Sequence, residues 1–221
     1  MERSIARQKA RELQIDETQV VREYWEAIIL KGLFDSSSGK DIIFKGGTAL
    51  RLAYGSPRFS EDLDFSLIHD SLKGKFLNLS RKITAPFPGL VLTDVEEKYY
   101  TYLAEIKVTE DYLPLPFRIK IEISKRKTKN YQWKLQLLES PVTTIQVLGQ
   151  VGTLEQIYQD KLACLKGRAK AKDLFDLWYI SQKLKIPYPS TPIGLQKSEI
   201  RRELRKYLPK DFWPAIEELT P

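Results

Sequence analysis

Asp62, Asp64 and Glu122 are the side chains on which this sequence can build chemistry. Asp62-Leu63-Asp64-Phe65-Ser66-Leu67 alternates polar with apolar. That is the pattern of a strand with Asp62 and Asp64 on one face and Leu63, Phe65 and Leu67 on the other. Two adjacent carboxylates repel. A divalent ion, Mg2+ or Mn2+, relieves the repulsion, and it characteristically shares such oxygens with substrate phosphates. Ile119-Lys120-Ile121-Glu122-Ile123 repeats the pattern, with the isoleucines on one side and Lys120, Glu122 and Ser124 on the other. If the two strands are neighbours, Glu122 joins Asp62 and Asp64. Three carboxylates then hold one or two metals, about 3.5–4 Å apart in two-metal phosphoryl-transfer sites. Upstream lies Lys45-Gly46-Gly47-Thr48. Glycines let backbone approach a ligand, a helix N-terminus offers free amides to an anion, and Thr48 adds a hydroxyl. Each feature has a plainer reading alone, as a capped turn, a solvated strand edge or an exposed acid. Their occurrence together, in this order, favours phosphoryl transfer.

The surrounding pattern says which elements must position them. Residues 2–34 carry apolar side chains at helical spacing, with Asp16 placed to cap a second helical piece and Gln19 as its capping-box partner. Ile42-Ile43-Phe44 is a short buried strand, and residues 48–53 a helix with Thr48 at its start. A helix over 70–85 is followed by a break at Pro86-Phe87-Pro88-Gly89. Strands are expected over 99–108, 117–124 and 142–148. From Thr153 the periodicity turns helical again, giving helices to Gly167, over 171–184 and over 197–207. The expected fold is α+β: a small mixed sheet flanked by N-terminal helices and a C-terminal helical region. The expected division is a core over 1–150 and a helical region over 151–221 that completes the active site.

A Gly-Gly-Thr phosphate loop, an Asp-x-Asp strand and a later single acid form a layout that resembles the polymerase-β-like nucleotidyltransferases. Phe44-Lys45-Gly46-Gly47-Thr48-Ala49-Leu50-Arg51-Leu52, followed by Arg58-Phe59-Ser60-Glu61-Asp62-Leu63-Asp64-Phe65-Ser66, more specifically resembles the AbiEii-type nucleotidyltransferase toxins. A second match lies at Asp160-Lys161-Leu162-Ala163 and Lys172-Asp173-Leu174-Phe175-Asp176-Leu177-Trp178. The resemblance implies a polymerase-β-like core in which Lys161 contacts the nucleotide phosphates and Asp176 or Asp173 is an essential later acid. It implies in-line attack of an acceptor hydroxyl on the α-phosphate of an NTP, releasing pyrophosphate, with tRNA 3′ ends as the acceptor and a cognate antitoxin as partner. Two positions depart from the family's pattern: Lys172 stands where Arg is frequent, and Glu122 where the wider superfamily has Asp. The rival expectations are a transferase with a small-molecule or protein acceptor, and an inactive module that binds RNA or antitoxin.

Charge supports the polyanionic acceptor. The chain has 221 residues with 36 Lys and Arg against 29 Asp and Glu, a net charge of +7. Residues 118–134 hold seven basic side chains, including Lys125, Arg126, Lys127 and Lys129, against the single acid Glu122. Residues 161–172 hold five basic side chains, including Arg168 and Lys170, and no acid among them. Tyr131 and Trp133 are interleaved with the first group, a pairing suited to phosphate contact and base stacking. Arg51 and Arg58 flank the glycine and Asp-x-Asp elements and are candidates to reach phosphate. The single histidine, His69, excludes multi-His metal sites. The single cysteine, Cys164, excludes an internal disulfide and is expected to be buried in a helix stripe. The charged N-terminus and the absence of a long apolar run make a cytoplasmic, membrane-free protein the expectation.

Overall fold

The computed structural model describes residues 1–126, 129–167, 170–189 and 195–219. Two helices open the chain, α1 (Arg3–Glu12) and α2 (Glu17–Phe34). Asp16 caps α2 by accepting a hydrogen bond from the Thr18 amide, one residue short of the capping-box geometry. Strand β1 (Ile42–Lys45) runs into helix α3 (Gly46–Tyr54), which Gly55 ends in the left-handed conformation at φ +73°. Strand β2 (Asp62–Leu67) follows, then helix α4 (Phe76–Thr84). The expected helix from residue 70 starts six residues late, because Gly74 takes φ +67° and turns the chain before Phe76. Strands β3 (Leu90–Glu97), β4 (Thr101–Val108), β5 (Phe117–Ser124), β6 (Trp133–Ser140) and β7 (Thr143–Gly152) complete the sheet. Helices α5 (Leu154–Gly167), α6 (Ala171–Leu184), α7 (Lys197–Leu204) and α8 (Pro214–Glu218) close the chain.

The fold is α+β as expected, but the sheet is not small. Seven strands stand in the order β3-β4-β5-β2-β1-β7-β6. Two neighbour pairs, β2 with β5 and β1 with β7, are parallel and the rest antiparallel, so the sheet is mixed. β5 alternates buried and partly exposed along its length, with Ile119, Ile121 and Ile123 fully buried. Phe44 of β1 and Leu63 and Phe65 of β2 join the same core, together with Ile29, Leu30 and Leu33 of α2. A second apolar cluster gathers Leu174, Phe175 and Tyr179 of α6 with Ile200, Leu204, Leu208 and Ile216. It seats the C-terminal helices and fixes the angle at which α6 presents its acidic side chains to the sheet.

Candidate active site

The strand register does what the alternation anticipated. Asp62 pairs with Lys120, and Asp64 with Glu122, in the parallel β2–β5 ladder. These four side chains emerge on one face and line a cleft of about 480 Å³. Its floor is the joint of β1 and α3, with Lys45, Gly46 and Gly47. Its opposite wall is α5 and the start of α6, with Asp160, Lys161, Lys170, Lys172 and Asp173.

The two glycines are required by this chain's own side chains as well as by any ligand. Gly46 has φ +78°, and a Cβ there would stand 2.4 Å from Asp64 Oδ2. A Cβ on Gly47 would stand 2.2 Å from Arg58 Nη2 and 2.8 Å from Ser60 Oγ. Thr48 corrects the expectation of a free hydroxyl for phosphate. It is buried, and its Oγ1 donates to the Asp62 carbonyl at 2.6 Å, anchoring the start of β2. Arg51 is corrected too. It is buried against the Phe59 ring, pairs with Glu23 and donates to the carbonyls of Ser56 and Pro57, outside the cleft. It braces the loop that leads to β2.

The acidic face is electrostatically uncomfortable. Burial, then the Asp62 carboxylate, push Asp64 up to about 6, with Glu122 adding to the effect. Burial also raises Asp62, against the pull of Lys120. Glu122 is less committed to the group than expected, since Lys120 Nζ holds its Oε2 at 2.7 Å. Among the described residues no three acidic, cysteine or histidine side chains gather into a metal cage. Asp62 and Asp64 share this face with Glu122, the register partner of Asp64, whose Oε2 is taken by Lys120. That donor set still suits Mg2+, which usually takes one or two carboxylates and completes its shell with water and substrate phosphate.

On the facing wall, Lys161 Nζ stands 2.7 Å from Asp173 Oδ1 and 2.7 Å from Asp176 Oδ2. Burial alone would lower this lysine, but Asp176 and then Asp173 outweigh it and hold the ammonium above the usual lysine range. Asp176 is fully buried below the cleft and takes Arg58 in a bidentate pair, Nε–Oδ1 at 2.7 Å and Nη2–Oδ2 at 2.8 Å. Burial would raise Asp176; the Arg58 and Lys161 cations reverse the sign and keep it lowered. Of the two candidate acids, Asp173 lines the cleft and Asp176 lies beneath it. Arg58 lines the cleft with its edge but spends its fork on Asp176.

Several contributors had been given no site role from the sequence. Lys45 lines the cleft beside Asp64, its register partner, and lies 3.9 Å from Asp160. Lys120 shares the strand face of Glu122, so the i, i+2 alternation already marked it. Lys172 binds Glu61 at 2.9 Å over the Tyr207 ring, and no local pattern announces a partner so far along the chain. Tyr131 is not a free stacking ring: its hydroxyl donates to Asp160 at 2.6 Å. Cys164 is exposed and lines the cleft, contrary to the expected burial. Of the basic residues, Arg126 and Lys170 line the cleft and Lys129 is exposed. Lys125 instead donates to the Lys98 carbonyl at 2.6 Å, and Lys127 and Arg168 lie outside the described residues.

Comparison with known proteins identifies the fold and the family. Among solved structures, JHP933 from Helicobacter pylori superposes with a TM-score of 0.57 at 28% identity, over 76% of this chain and 68% of that one. MenT4, a nucleotidyltransferase toxin from Mycobacterium tuberculosis, superposes with a TM-score of 0.60 over 91% of this chain and 68% of its own. At 19% identity that likeness is one of fold. No curated protein matches the chain. The family profile described as nucleotidyl transferase AbiEii toxin, type IV TA system, matches residues 28–217. With that match covering most of the chain, and with Asp62, Asp64 and Lys161 facing one cleft, the chain belongs to the AbiEii family of nucleotidyltransferase toxins.

Proposed function

We propose that this protein is a Mg2+-dependent toxin that transfers a nucleotide from an NTP to the 3′ end of tRNA and so blocks translation. The observation that carries the reading is the opposition of Asp62 and Asp64 to Lys161 across a single cleft floored by Gly46 and Gly47.

Asp62 and Asp64 would hold the metal; Mn2+ suits the same oxygens. When bound, such an ion neutralises charge on the departing pyrophosphate and lowers the pKa of the attacking hydroxyl. The rest is done by the chain. The amides at the start of α3 receive phosphate oxygens. Lys161 has three N–H donors, of which two are spent on Asp173 and Asp176, leaving one for a phosphate. Its charge is fixed by those carboxylates before substrate arrives, so no reorganisation is needed during the reaction. Glu122, beside Asp64, accepts the proton of the acceptor hydroxyl. The new bond joins that oxygen to the α-phosphorus, the bond from the α-phosphorus to the bridging oxygen breaks, and pyrophosphate leaves. Arg126 and Lys170 carry positive charge at the cleft, where an RNA backbone would lie, and Lys129 is exposed three residues beyond Arg126. Membership of a toxin–antitoxin family supports a cognate antitoxin as the restraining partner. A tRNA substrate also places the protein in the cytoplasm.

The test is incubation of the protein with each α-labelled NTP, Mg2+ and total tRNA. Label entering the tRNA 3′ end, lost with EDTA, is the expected result. No incorporation from any NTP overturns the reading. Label entering protein or a small molecule overturns the acceptor alone.

A further inference from the structure

Tyr99 is the most exposed large apolar side chain among the described residues, at 85%, and Tyr100 beside it is 55% exposed. They form the tip of the β3–β4 hairpin and meet edge to face, with ring centroids 4.5 Å apart. One open ring is ordinary, but two adjoining ones make a contiguous apolar patch, the kind of surface that marks an interaction site.

The tip is held by hydrogen bonds and tied to the cleft. Lys98 N donates to the Thr101 carbonyl at 2.8 Å, and Lys125 N to the Tyr100 carbonyl at 2.8 Å. Lys125 Nζ caps the Lys98 carbonyl and lies 3.8 Å from the centre of the Tyr102 ring. The corrected role of Lys125 is therefore to fasten this hairpin to the end of β5. One residue on, the Arg126 guanidinium lies 5.3 Å from the Tyr100 ring centre while lining the cleft. Glu122, Ser124 and Arg126 thus lead from the acidic face to the tyrosines, over four residues that span no more than roughly 14 Å.

We infer that Tyr99, Tyr100 and Arg126 form a stacking platform for the unpaired end of the RNA acceptor. A polyanion carrying flat bases uses both the open rings and the adjoining guanidinium. Stacking tolerates any base and requires an unpaired one, so the platform selects single-stranded ends over blunt duplexes. The inference rests on RNA being the acceptor, and binding and transfer are measured separately.

Three proteins are compared: wild type, Y99A/Y100A and Y99F/Y100F. The probe is a short fluorescein-labelled single-stranded RNA, read by anisotropy without NTP, with a blunt duplex of the same sequence as control. Stacking on two rings predicts binding weakened roughly tenfold to a hundredfold in Y99A/Y100A. Y99F/Y100F should bind like wild type, and the duplex should be nearly indifferent. Both variants should keep the wild-type melting temperature, since the rings are open to solvent. Unchanged RNA binding in Y99A/Y100A overturns the platform, as does equal loss of duplex binding or no binding by wild type. Binding that depends on the tyrosines without nucleotide transfer supports the platform and counts against the proposed activity. Transfer whose KM for tRNA ignores the tyrosines does the reverse.

Discussion

Asp64 is held at a cost, and the cost has a pH signature. Its carboxyl titrates near 6 in the folded chain, against an ordinary aspartate value of 3.8. A raised folded-state pKa means that the native protein holds the proton more tightly than the unfolded one between those values. Stability from this group is thus full below pH 4 and is lost as the pH climbs to about 6. Asp64→Asn should remove roughly 2–3 kcal/mol of that penalty at most, and raise the melting temperature by a few degrees at pH 7. The gain should vanish towards pH 4. Transfer activity should fall to background, and Mg2+ should raise the melting temperature of wild type but not of the variant. Thermal melts across a pH series, with and without Mg2+, check all of this. Across the cleft the two acids of α6 separate by burial. Asp176→Asn leaves the buried Arg58 and Lys161 cations short of counter-charge and should cost about 3–5 kcal/mol, measured by urea unfolding. Asp173→Asn, at the cleft wall, should leave the protein folded with a weakened NTP interaction, read as a higher KM.

At the scale of elements, the joint of β1 and α3 is the sensitive one. Gly46→Ala must place a methyl group against Asp64 at φ +78°. It should destabilise by about 1–3 kcal/mol and depress kcat at least tenfold by displacing the carboxylate. Equilibrium unfolding and steady-state kinetics report the two effects separately. This joint was legible beforehand because β1 is a short unbroken apolar run, β2 and β5 carry their apolar residues on one face only, and α5 and α6 keep a helical period. β3 and β6 were not legible. β6 alternates Trp133, Leu135 and Leu137 with Lys134 and Gln136, but that apolar face is the exposed one and the register shifts after Leu138; β3 opens on the unbroken run Leu90-Val91-Leu92 with Val91 exposed. The positions of Asp62, Asp64, Glu122 and Lys161 followed from local pattern and resemblance. The burial of Arg51 and Arg58 did not, because their partners Glu23 and Asp176 lie 28 and 118 residues away along the chain. A charged side chain reads as solvated until the fold supplies its counter-charge.

For the whole molecule, the +7 charge is unevenly spent. Much of it is internal to the site: Arg58, Lys161, Lys172 and Lys120 each face a carboxylate. The cations left for a polyanion are few, with Arg126 and Lys170 at the cleft and Lys129 exposed nearby in sequence the clearest. Contact with about three phosphates predicts that log K for tRNA falls with log salt at a slope of about −2 to −3. Lys170→Ala should flatten that slope by about 0.7–0.9. Anisotropy over a KCl series measures both.

The Arg58–Asp176 pair also orders the life of the nascent polypeptide. Every strand of the sheet is complete by Gly152, so the acidic face can form on the ribosome before the later helices have emerged. Until α6 is synthesised, Arg58 lacks Asp176 and Lys161 lacks both Asp173 and Asp176. A product that stops before α6 therefore carries the carboxylates without the cationic wall, and is expected to show no nucleotide transfer in the labelled-NTP assay.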